Sequence, residues 1–190
     1  MKDTNKIKDL LDTMGSASII NRAKVADYII AKQELFPKLI DVAFETEYKL
    51  HHKAAWILEF VLNDNLEWII PHLDFFTSNL QKLNNQSVIR PASKICKWIA
   101  IAFDKNTVFK QQLTQTHIEN MIEAGFDWLI GDNKVATQAY SMHFLYLLGK
   151  QKITRFDWVH QELKKIISQN MPTASSGYKG QGKYVLKMIK

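Results

Sequence analysis

Apolar residues recur at i, i+3, i+4 and i+7 in segment after segment of this chain, and no convincing stretch alternates apolar and polar between turn dipeptides. A 3.6-residue period gathers apolar side chains on one side of a helix. It predicts helices near residues 3–13, 17–32, 34–46, 49–63, 65–83, 88–104, 106–114, 116–130, 133–149, 155–170 and 180–189. The punctuation agrees. Gly15, Gly125, Gly131 and Gly149 read as the residue just past a helix, while Gly177 and Gly180 fall in a loop or helix start. Thr116 with Glu119 reads as a capping box, Ser87 precedes an apolar stripe, and Thr154 with Asp157 offers a cap and a first-turn acid. The expected fold class is all-α, with about 10–11 helices.

One stripe recurs. From Ala54 it runs Ile57, Leu58, Val61, Leu62, and from Ala92 it runs Ile95, Cys96, Ile99, Ala100, Phe103. From Ala136 the same offsets give Ala139, Tyr140, His143, Phe144 and Leu147. From Gly180 they give Lys183, Tyr184, Lys187 and Met188. The starts lie 38, 44 and 44 residues apart, and Ala23, Ala26, Ile30 and Ala31 suggest an earlier copy. Phe36-Pro37-Lys38-Leu39 is matched by Ile70-Pro71-His72-Leu73, where paired prolines would give two helices a similar curvature. Leu66-Glu67-Trp68, Phe126-Asp127-Trp128 and Phe156-Asp157-Trp158 read as further copies. An all-helical period of roughly 40–47 residues is that of a stacked array whose units bury each other's faces.

Small residues early in the second helix of each pair, in Lys53-Ala-Ala-Trp-Ile-Leu-Glu-Phe60, Arg90-Pro-Ala-Ser-Lys-Ile-Cys-Lys97 and Val135-Ala-Thr-Gln-Ala-Tyr-Ser-Met142, resemble the HEAT and armadillo (ARM-like) class of α-solenoids. The resemblance covers about residues 16–190. It implies a right-handed α-α superhelix of HEAT-like helical repeats, whose concave surface holds peptides, protein faces or nucleic acid. The organisation expected is one helical-repeat domain over 1–190. It comprises an N-terminal helix (1–15), helix pairs (16–170), a loop (171–178) and a C-terminal capping helix (179–190).

Composition narrows the possibilities. The 46% apolar content suits an ordinary globular core, and no apolar run approaches the ~20 residues of a membrane span. The first thirteen residues lack the pattern of a signal peptide, so a cytoplasmic location is expected. The net charge of +6 is unevenly placed. Residues 150–190 carry nine Lys or Arg against Asp157 and Glu162, whereas residues 1–149 carry sixteen against seventeen acids. Such asymmetry marks an anionic partner or serves solubility.

Candidate chemistry is thin. Cys96, the lone cysteine, lies on an apolar stripe and reads as a buried structural residue. The histidines His51, His52, His72, His117, His143 and His160 lack the i, i+4 pairing of a helical metal site. His143, on a stripe, is expected buried and hydrogen-bonded, and His51 and His52 solvated at a helix start. The segment Gly177-Tyr-Lys-Gly180-Gln-Gly182-Lys183 lacks phosphate-loop spacing. Ser175, Ser176 and Lys179 resemble the loop of the fumarase and adenylosuccinate lyase superfamily, without its Met-Pro and following Asn. Asp127 beside Trp128 and Asp157 beside Trp158 supply the residue types of the HEAT-like alkylpurine DNA glycosylases, which the array resembles. Adjacent helical residues point about 100° apart, and tryptophans filling gaps between helices explain them more simply. The terminal Lys183, Lys187 and Lys190 lie opposite Val185 and Ile189, as befits a capping helix.

The expectation is a non-catalytic interaction scaffold for an unknown protein or acidic surface, with neither cofactor nor metal. Anion or partner contacts are expected at Lys179, Lys183, Lys187 and Lys190. The alternative is a nucleic-acid-binding protein related to the alkylpurine glycosylases.

Overall fold

The computed structural model describes residues 2–16, 18–105, 107–151 and 154–189, apart from the side chains of Lys2, Thr107 and Thr154. Among these residues it is all-helical, without strands: α1 Lys2–Thr13, α2 Ile19–Ile30, α3 Phe36–Phe44, α4 His51–Asp64, α5 Leu73–Ser78, α6 Gln86–Lys105, α7 Thr107–Gln112, α8 Gln115–Ile130, α9 Val135–Gly149, α10 Val159–Asn170 and α11 Ser176–Met188. The contacts gather into two compact units, Met1–Ala92 and Ser93–Lys190.

In the first unit α3 packs on α4, α1 on α3 and α2 on α4. The stripe from Ala54 is buried as its period predicts, with Ile57, Leu58, Val61 and Leu62 essentially inaccessible. Each such side chain contributes about 1.5–3 kcal/mol. Gly15, past the end of α1, has φ 67°, a conformation that suits glycine. Lys53 reaches back from α4 to donate to the Leu11 carbonyl of that last turn at 2.9 Å.

The segment predicted as one helix over 65–83 is broken into a 3-10 helix at Leu66–His72, the short α5, and a 3-10 turn at Leu80–Lys82. Pro71 has no N–H to continue an α-helical ladder. The two prolines therefore do not bend two helices alike: Pro37 lies in the first turn of α3, where it is tolerated, and Pro71 within a 3-10 turn. The consequential proline is Pro91, inside α6, which leaves the carbonyl of Ser87 four residues back without its helical donor. The Trp56 indole N–H supplies one at 3.0 Å. The start of α6 is capped by Asn85, whose side chain accepts from the Ser87 N–H at 2.9 Å, rather than by Ser87.

In the second unit α8 packs antiparallel on α9 and touches α10, while α11 lies along α9 and α10. The capping box of α8 is formed by Thr114 and His117, two residues before the predicted Thr116–Glu119 pair. Gly125 is inside α8, not beyond its end: a Cβ there would sit 2.6 Å from Phe144 Cε2, so the missing side chain lets α8 and α9 meet. Gly149 is the last residue of α9, and Gly177, Gly180 and Gly182 lie within α11. The loop is shorter than 171–178 because Ser175 accepts from the Tyr178 N–H and starts α11 at Ser176. Tyr178, Gly182 and Val185 are the buried side of α11.

The repeated stripe does not keep one environment. From Ala92 it is buried through Phe103, but on α9 Ala136 is exposed and Ala139, Tyr140 and His143 are half-buried. The α9 core face is Thr137, Ser141, Phe144, Leu145 and Leu148, turned by about one residue. On α11 Gly180, Lys183, Tyr184, Lys187 and Met188 are all exposed. The tryptophans differ too, Trp68 half-buried, Trp128 buried and Trp158 48% exposed.

Candidate functional site: a basic and aromatic cleft in the second unit

The turned stripe of α9 creates the site. Its half-buried residues face the outer flank of α6, where Lys94, Lys97, Trp98, Ile101 and Lys105 follow helical spacing beside the buried stripe. On the other side α11 runs parallel to α9, since Gly177 meets Val135 and, two turns on, Tyr184 meets His143. Between them opens a cleft of about 330 Å³. From α6 come Ile101, Asp104 and Lys105, from α9 His143, Tyr146, Leu147 and Lys150, and from α11 Tyr184 and Met188. Tyr184 and Met188 are about half exposed, at 50% and 44%. This volume is at the small end of ligand pockets, enough for one large side chain or a small molecule.

Asp104 is the acid in this lining, and both its oxygens are engaged, by Lys150 Nζ at 2.8 Å and Gln151 Nε2 at 2.9 Å. Burial pushes its carboxyl up, but the hydrogen bonds from Lys150 and Gln151 and the Lys150 charge outweigh this and leave it below the ordinary carboxylate value. The hydrogen bond to Asp104 in turn raises the Lys150 ammonium. His143 is depressed by burial first and by the charge of Lys97 second, so its imidazole is neutral near pH 7. Its ring lies 6.1 Å from that of Tyr184.

Beyond the cleft, cations and rings interleave. Lys94 Nζ sits 4.9 Å from the Trp98 ring centre and Lys97 Nζ 5.4 Å from that of Tyr140. Burial, then the charge of Lys94, lowers the Lys97 ammonium below its ordinary value. Cys96 is buried, and burial pushes its thiol up, which disfavours the thiolate. Among the described residues no group of three His, Cys, Asp or Glu side chains is placed to hold a metal ion.

The residues expected from the sequence are only partly drawn together. Lys179 is half-buried and its Nζ donates to the Pro172 carbonyl at 3.3 Å, closing the turn before α11. Lys183 and Lys187 are exposed on α11 outside the cleft lining, and Lys190 lies outside the described residues. Asp127 is exposed on α8 whereas Trp128 is buried, so that pair diverges. Trp158 stacks on Phe126 at 5.5 Å. Two histidines exchange roles with expectation. His51 is buried, with Asn85 Nδ2 3.4 Å from its Nε2, while His143 is half-buried and makes no hydrogen bond among the described residues. Lys97, Tyr140 and Tyr184 do not stand out as a site in the sequence, although the i, i+3, i+7 spacing of Lys94, Lys97 and Ile101 is visible there.

The chain matches no known protein family, no curated protein and no solved structure. Among its described residues no helix is long and apolar enough to cross a membrane.

Proposed function

We propose that this chain is a non-catalytic binding module built of stacked, HEAT-like helix pairs, and that it holds an acidic protein segment through the open face of α6, α9 and α11. The stacking is supported by contacts between successive helices, as α3 with α4, α8 with α9 and α10 with α11, and between helices two places apart, as α1 with α3, α2 with α4, α8 with α10 and α9 with α11. The function rests on one observation, a cleft with two half-exposed apolar walls, Tyr184 and Met188, rimmed by Lys105 and Lys150 with its acid already paired. An aromatic or aliphatic side chain fills the cleft and flanking carboxylates meet the lysines, which speed encounter and fix register. A rigid helical surface loses little freedom on binding.

Fluorescence polarisation tests this with acidic peptides carrying one Phe or Leu against basic peptides of the same length. The acidic set binds and weakens at least tenfold on Tyr184→Ser. Equal binding of both sets, or indifference to Tyr184→Ser, refutes the reading.

A second reading, nucleic-acid binding, is favoured by the alternation of Lys94 with Trp98 and Lys97 with Tyr140, because single strands bind by stacking bases between phosphate contacts. It requires a DNA shift at about 50 mM salt that fades steeply as salt rises. No shift under those conditions removes it.

A further inference from the structure

We infer that Lys97, with His143 beside it, is an oxyanion subsite adjoining the cleft, taking a carboxylate or phosphate of the ligand whose apolar part enters between His143 and Tyr184. The inference rests on the binding reading above and adds a chemical requirement to it. Lys97 is half-buried, and among the described residues its ammonium has no carboxylate partner and no hydrogen bond. What surrounds it is the face of Tyr140 at 5.4 Å, the charge of Lys94 on the same helix, and His143, whose own titration feels Lys97.

A cation partly withdrawn from water is unfavourable unless something negative joins it. Lysines with such freedom normally extend into solvent. Here the tyrosine ring holds the ammonium at the surface of α9, one turn from His143 and therefore next to the cleft mouth. Asp104 does not compensate it, being committed to Lys150 and Gln151. An oxyanion placed there neutralises Lys97 and accepts a charge-assisted hydrogen bond from its ammonium. His143 contributes an N–H to the same anion in the appropriate tautomer.

The test is calorimetric titration of the full chain with three peptides sharing one Phe anchor and differing at a single flanking position: Glu, phosphoserine or Gln. The Glu or phosphoserine peptide binds about tenfold or more tightly than the Gln peptide. In Lys97→Gln that preference collapses to near unity, whereas in Lys183→Gln, on the exposed side of α11, it persists. Whichever of Glu and phosphoserine shows the preference identifies the source of the oxyanion. Equal affinities in the wild type, or a preference that survives Lys97→Gln, overturn the subsite; binding that still needs Tyr184 then leaves the cleft reading standing. If no peptide binds, the cleft reading fails, and the Lys97 ε-methylene resonance of the wild-type chain titrated with inorganic phosphate decides the subsite separately. A saturating shift absent at Lys183 supports it, and no saturating shift overturns it. The same measurement serves if Lys97→Gln does not fold.

Discussion

Replacing Gly125 with alanine tests the closest approach in the second unit. The added Cβ would lie 2.6 and 2.7 Å from Phe144 Cε2 and Cζ and 3.0 Å from Leu145 Cδ2, where ordinary contact begins near 3.4 Å. Neither neighbour has room to retreat, since both are fully buried and the Phe144 ring stands edge-on to Trp128 at 6.5 Å. Two effects oppose each other. Alanine gains about 1 kcal/mol over glycine inside a helix. Overpacking a filled core costs about 1–3 kcal/mol, and an overlap against a locked ring belongs at the upper end. The net expectation for Gly125→Ala is a loss of about 1–2 kcal/mol. Gly180→Ala is the internal control: the residue is exposed within α11, a Cβ there would meet nothing within 4 Å, and the propensity gain of about 0.5–1 kcal/mol should appear intact. Urea unfolding followed by helical circular dichroism should therefore move the two midpoints in opposite directions. Phe144→Leu should cost less in the Gly125→Ala background than alone, because it also relieves the overlap. Equal stabilisation by both glycine substitutions would refute the packing of α8 on α9 described above.

Ser141 is fully buried and among the described residues its Oγ has no hydrogen-bond partner, so Ser141→Ala should be neutral or stabilising by up to about 1 kcal/mol in the same assay. Trp56→Phe should cost about 1 kcal/mol more in the wild type than in Pro91→Ala, where a restored N–H at residue 91 takes over the Ser87 carbonyl; a double-mutant cycle with no coupling would contradict that role. Burial lowers the proton affinity of His51, His52, His72 and His143, with the charge of His51 adding at His52 and that of Lys97 at His143. The unfolded chain then binds more protons below about pH 6.5, so their contribution to stability is complete above that value and lost as pH falls through the folded values. His51→Gln should flatten the decline in urea midpoint between neutral and mildly acidic pH, whereas Asp104, also depressed, acts in the same direction only at lower pH.

Helix positions are legible in the sequence because the apolar period is strong, and the α4 and α6 stripes are buried where it puts them. The phase of α9 is not. Val135–Gly149 is apolar on nearly every side, so its sequence allows several core faces, and contact with α8 through Gly125 selects Phe144 and Leu145 over Tyr140 and His143. That same ambiguity hides the cleft, whose aromatic wall has the spacing of a core stripe. Gly125 looks like a helix stop in sequence because a glycine needed for close approach and one needed for a turn are the same letter. Lysines near the end of the chain stand out by their density, yet the ones set among rings, Lys94 and Lys97, are inconspicuous in sequence and acquire meaning only from Trp98 and Tyr140 beside them.

Amide and side-chain chemical shifts recorded while the tightest acidic peptide is titrated into the full chain test the binding face most directly. The largest changes should fall on Ile101, Lys97, His143 and Tyr184, with the amides of α2 and the end of α8 unmoved. Changes centred on Ile19 and Ile20, each 68% exposed on α2, or on Ile130 at 64%, would place binding elsewhere and contradict the account.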